Sequence, residues 1–154
     1  MPQSYVLDTS IILNLIRGRE LGESIDRAFG LRAAYYRHLV SIVSHGELRV
    51  LARRHEWQES KLAALAIALG EVVTVNIDNS AMIEAYVRVE ESCSSAPGGE
   101  HNMGQNDMWI AATALHAGLP LITADKDFRF LDGRLIQVYW VDSGAGSQKG
   151  RSIN

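Results

Sequence analysis

Four acidic residues stand out by position. Asp8 ends the apolar stretch SYVLD, Glu47 lies in SHGELRVLARRH, Asp107 in QNDMWIAATAL, and Asp125 ends LPLITAD. Each has a plain structural explanation. Asp, Thr and Ser at 8–10 are good helix N-caps, Glu47 completes an S-x-x-E capping box with Ser44, Asp107 suits a helix N-terminus, and Asp125 can close a turn. Caps do not explain all four together. Carboxylates sharing one crevice raise each other's pKa and destabilise the fold unless a positive charge intervenes. No Lys or Arg directly neighbours Asp8, Glu47 or Asp107 in sequence. An all-oxygen set without His or Cys suits a hard ion, Mg²⁺ or Mn²⁺, better than zinc. Such an ion can activate water and steady a phosphate.

For the four to meet, the elements that carry them must converge. SYVLD reads as a buried strand, TSIILNLIRG as a helix closed by Gly18, and LGESIDRAFG as an amphipathic helix closed by Gly30. HLVSIV is a second strand and SHGELRVLARRH the helix after it. KLAALAIALG is a helix ending at Gly70, EVVTVNI a β-branched strand, and NSAMIEAYVRVEE a helix. SCSSAPGGEHNMG is expected to be a loop, with QNDMWIAATALHAG a helix stopped by Gly118. LPLITAD is a strand, DKDFRFLDG a turn and LIQVYWVD the last strand. Strands alternating with helices predict an α/β three-layer sandwich with a mainly parallel central sheet, whose ligands sit beyond the C-terminal strand ends. Residues 1–142 are expected to form this domain, and the polar tail 143–154 to be disordered.

Composition narrows the class. With 154 residues, 47% of them hydrophobic, one core is expected. The lone cysteine, Cys93, excludes a disulfide framework. The sequence offers no signal peptide and no apolar run of membrane length, so a cytoplasmic protein away from membranes is expected. The net charge of −3 is unevenly spread: residues 1–55 hold eight Arg against five acidic residues. Arg17, Arg19, Arg49, Arg53 and Arg54 are therefore candidates for phosphate contacts, with a solvated face as the plainer alternative.

At the four acidic positions the chain resembles the PIN-domain ribonucleases, and within them the VapC-type toxins of toxin–antitoxin pairs. The matching pieces are YVLDTSIILNLI, SIVSHGEL, NDMWIAATAL and LPLITADKDF, spread over residues 4–141. The resemblance implies a PIN-like fold and an acidic metal site of Asp8, Glu47, Asp107 and Asp125, with Asp127 able to share or replace the role of Asp125. It implies Thr9 or Ser10 as a supporting hydroxyl, and Asn106 and Thr123 lining the site. It further implies Mg²⁺- or Mn²⁺-dependent endonucleolytic cleavage of RNA, a small inhibitory antitoxin and a homodimer. In-line attack by an activated water would need one ion, or two roughly 4 Å apart, and no protein nucleophile. Trp109 is expected in the core or an interface, His45 as a bystander and His116 on a helix exterior. Competing readings are a metal-dependent DNA nuclease or phosphohydrolase, a receiver-like scaffold, and a PIN-fold module that binds nucleic acid or protein without cutting.

Overall fold

A computed structural model of the chain describes residues 3–32, 36–96 and 103–142. The elements run β1 (Val6–Leu7), α1 (Thr9–Arg17), α2 (Glu20–Phe29), β2 (Leu39–Ser41), α3 (Ile42–Arg54), α4 (Glu59–Gly70) and β3 (Val73–Val75). They continue with α5 (Ser80–Ser94), α6 (Gln105–Ala117), β4 (Leu121–Thr123), a 3₁₀ helix (Lys126–Leu131) and β5 (Val138–Trp140). The sheet order is β3-β2-β1-β4-β5, and all four pairings are parallel. The expected α/β sandwich is therefore present.

Strand alternation builds a core on each face of the sheet. Val6, Leu121 and Val138 pack with α5 and α6 on one side; Leu7, Ile122 and Val40 pack with α1 and α4 on the other. Helix α6 is buried through Ile110, Ala111, Ala112, Thr113 and Ala114. Helices α1, α2 and α6 end on Gly18, Gly30 and Gly118 in the left-handed conformation, as the sequence predicts. Helix α2 lies so close to α1 that a Cβ at Gly22 would fall 2.4 Å from the Asn14 carbonyl oxygen.

Three boundaries differ from expectation. Ile42 and Val43 belong to α3 and not to the strand, so the N-cap is Ser41, whose Oγ accepts the Val43 N–H at 3.2 Å. Ser44 is consequently inside the helix, and the Ser44–Glu47 capping box does not form. Helix α5 continues to Ser94, which puts Cys93 in the core and not in a polar loop. The segment read as a turn after Asp125 is a 3₁₀ helix. Residues 97–102 of the expected loop and the tail 143–154 lie outside the described residues. Among the described residues no helix is long and apolar enough to cross a membrane.

Candidate active site

The chain runs outward from β1 through β2 to β3, then returns to β4 on β1's other side, so the strand order reverses between β1 and β4. In parallel sheets that switch point leaves a crevice beyond the C-terminal strand ends. Asp8 directly follows β1, and Thr123 is the last residue of β4. The two meet across the crevice: the Thr123 hydroxyl donates to Asp8 Oδ2 at 2.8 Å.

The DTS stretch holds its carboxylate by hydroxyls. Asp8 stands at the N-cap position of α1, but its side chain makes no capping hydrogen bond. Its Oδ2 also accepts from Ser10 Oγ at 2.7 Å. Both donors are tied on their far side to the chain leaving β4: Ser10 Oγ accepts the Ala124 N–H at 3.0 Å, and Thr123 Oγ1 accepts the Asp125 N–H at 2.9 Å. Two hydroxyls thus clasp the start of α1 to the loop that carries Asp125. Thr9 joins α1 to α3 instead, with its Oγ1 2.7 Å from Glu47 Oε1 and 2.8 Å from Ser44 Oγ. An ionised carboxylate can only accept, so Thr9 donates to Glu47 and Ser44 donates to Thr9. Ser44 is fully buried, and its sequence position signals only a cap.

Asp107 lies in the first turn of α6. Burial, then the charges of Asp8, Asp125, Glu47 and Asp127 in that order, push its pKa from 3.8 to about 7. Asp8 is 4% exposed, and burial raises its pKa as well, against the lowering effect of the Ser10 and Thr123 hydroxyls. Asp107 therefore senses the other four carboxylates, and Asp8 senses Glu47. Asp125 acts on Asp107 more strongly than Asp127 and is the less exposed of the two. Asp125 also caps the 3₁₀ helix, its Oδ1 accepting the Asp127 N–H at 2.9 Å. The N-termini of α1, α3 and α6 all open at this edge, and their partial positive charge offsets part of the repulsion.

Among the described residues no Lys or Arg forms an ion pair with these carboxylates; Arg32 pairs with Asp26 instead. Nor do any three His, Cys, Asp or Glu side chains gather into a metal-holding set. The donor chemistry nevertheless fits a hard divalent cation: oxygen only, several charges, and one carboxyl whose proton marks a deficit of positive charge.

The other sequence candidates are placed as follows. Asn106 is exposed on α6 beside Asp107. Arg17, at the far end of α1, is nine residues from Asp8, or roughly 13 Å along the helix; Arg19 follows it, exposed. Arg49 and Arg53 line the groove between α3 and α4 with Trp57 and Leu62. Arg54 is exposed at the C-terminal end of α3, two turns beyond Glu47. The structure thus brings the acidic residues within electrostatic reach of Asp107, with Thr9, Ser10 and Thr123 beside them but no three carboxylates at metal-holding distance, and spreads the arginines over other surfaces. Trp109 packs against Tyr86, with ring centroids 4.1 Å apart. His45 Nε2 lies 2.8 Å from Thr74 Oγ1, with burial lowering its pKa, and His116 is exposed.

Fold and crevice together define a parallel α/β domain with an all-carboxylate site at its switch point. The PIN-domain sequence profile matches residues 5–133. The chain is 33% identical over 138 residues to Ribonuclease VapC5 of Mycobacterium tuberculosis (strain ATCC 25618 / H37Rv), covering 86% of this chain and 90% of that protein. Among solved structures it resembles VapBC-5 of M. tuberculosis, at 26% identity and a TM-score of 0.63, covering 91% of this chain and 98% of the other. VapBC2 of Rickettsia felis, bound to a DNA fragment from its promoter, shares the fold at a TM-score of 0.70 and 18% identity, over 87% and 96% of the two chains. The chain belongs to the PIN-domain family, and its relatives there are VapC proteins.

Proposed function

We propose that this protein is an endoribonuclease that hydrolyses RNA phosphodiester bonds with the aid of Mg²⁺ or Mn²⁺, the toxin of a toxin–antitoxin pair. PIN ribonucleases in general depend on a divalent metal. The observation that carries the reading is the convergence of Asp8, Glu47 and Asp125 on Asp107, without a cationic partner, at the switch point of the sheet. Relatives named as a ribonuclease and as VapBC toxin–antitoxin complexes support the substrate and an antitoxin partner. A homodimer in the cytoplasm completes the reading.

Asp8, Glu47, Asp107 and Asp125 would hold the ion, with Asp127 at the rim. When bound, the ion supplies counter-charge, acidifies water and stabilises the charge that builds on the phosphate during in-line displacement. Ser10 and Thr123 fix the Asp8 carboxylate, and Thr9 fixes Glu47, so that neither must reorganise as charge develops. Asp107 gives up its proton when positive charge enters the crevice, becoming a full anionic ligand at neutral pH. No side chain needs to attack phosphorus.

The test incubates the purified, antitoxin-free protein with structured total RNA and Mg²⁺ or Mn²⁺, beside EDTA and Asp107→Asn controls. Discrete fragments that disappear in both controls are expected. Fragments that persist in EDTA, or intact RNA in the presence of folded protein and metal, refute the proposal.

A further inference from the structure

A basic and aromatic feature adjoins the crevice on the side opposite α3. Strand β5 is the outer strand next to β4, and Trp140 is in register with Thr123, the residue that donates to Asp8. Alternation from Val138, which packs toward α5 and α6, turns Trp140 to that same face. The Arg129 guanidinium lies over the Trp140 ring, 4.5 Å from its centroid. Arg129 is exposed on the 3₁₀ helix that Asp125 caps. In a helix of three residues per turn, positions 126 and 129 eclipse, so exposed Lys126 and Arg129 form one short row leading away from Asp125.

The indole borders a groove of ≈ 470 Å³ lined by Arg129, Asp132, Gln137, Val138, Tyr139 and Trp140. The Asp132 carboxylate in that groove accepts the Val138 N–H at 2.8 Å, closing part of the strand's open edge. A planar cation facing solvent, with a carboxylate and an amide around it, suits a nucleobase better than a bare phosphate: the π face stacks and the polar edge hydrogen-bonds.

We propose that Arg129, seated on the face of Trp140, is a stacking platform for one nucleobase of a single-stranded RNA segment that leaves the acidic crevice over the 3₁₀ helix. This rests on the ribonuclease reading above. Trp140 is a positioning residue: its ring holds the guanidinium flat.

The experiment measures anisotropy of a short fluorescein-labelled single-stranded RNA titrated with the full chain in Ca²⁺, at several salt concentrations. Arg129→Ala is expected to weaken binding by about tenfold, the size of one base-stacking contact. Arg129→Lys keeps the charge but not the plane, so it is expected to keep the salt dependence while losing most of that affinity. Trp140→Phe keeps a smaller ring under the guanidinium, with a smaller loss expected. Arg17→Ala, at the far end of α1, should match the wild type. Full affinity in Arg129→Lys would reduce the contact to a phosphate charge and overturn the platform. Wild-type protein that cuts RNA, with Arg129→Ala binding equally well, also overturns the platform and leaves the nuclease standing. Wild-type protein that neither binds nor cuts RNA overturns both.

Discussion

Asp107→Asn should stabilise the metal-free protein while abolishing its cleavage of RNA. In the unfolded chain the Asp107 carboxyl loses its proton near 3.8; in the folded protein it holds the proton up to about 7. Between those values the folded state binds more protons, so this group's contribution falls as pH rises. The contribution is complete below 3.8 and gone above about 7. Taken in full, that interval corresponds to about 4 kcal/mol. Asp107 is only partly buried, and solvent screening reduces the figure to about 1–2 kcal/mol. Asn carries no charge at any pH and escapes the loss. Thermal unfolding in EDTA should therefore show a small gap at pH 5 that widens by pH 8, where Asp107→Asn melts about 2–8 °C above wild type. Added Mg²⁺ should close or reverse the gap by stabilising the wild type alone, because a ligand that binds only the folded state raises its stability. A variant no more stable than wild type at pH 8 in EDTA, or a gap that does not widen with pH, would refute the electrostatic account of the crevice.

Thr123→Val removes the donor to buried Asp8 and leaves the Asp125 N–H without its acceptor; a loss of about 1–3 kcal/mol in urea unfolding is expected, with Asp8 titrating still higher. Gly22→Ala forces a methyl against the Asn14 backbone, which no rotamer change relieves, and should cost about 1–3 kcal/mol while RNA cleavage persists in the folded fraction. Glu56, exposed just past α3, has φ of +49° while the next residue's N–H bonds back to Ala52. Glu56→Gly should therefore raise the urea midpoint, by about 0.5–1 kcal/mol in stability, with the m-value unchanged.

The strands and helices were legible because apolar runs mark β1 and β4, which are buried, and because Gly18, Gly30 and Gly118 mark real helix ends, although apolar residues such as Leu62, Ile67 and Ile83 remain exposed. The start of α3 was not, since Ser41 and Ser44 can both cap and the β-branched pair Ile42–Val43 reads as strand. Convergence of the acidic residues followed from a parallel sheet, which brings all strand C-termini to one edge. The burial of Ser44 and its contact with Thr9 depend on that shifted boundary and had no separate sequence signal. The arginines show the opposite limit. Charge counts favoured the first third of the chain, but which face an Arg occupies depends on packing, and Arg49 and Arg53 face the groove beside α4. Lys126 and Arg129 escaped notice because a turn has no periodicity from which to infer a shared face.

The bond from Thr123 to Asp8 spans 115 positions of the chain. During synthesis the first carboxylate is made early, but the hydroxyl that orients it and Asp125 come only after α6. A nascent or truncated chain that stops before β4 carries Asp8, Glu47 and even Asp107 without the clasp that arranges them. Long-range closure of this kind is slow compared with local helix formation. The crevice is therefore completed only when nearly all of the domain has been made, an order set by the late place of β4 in the chain.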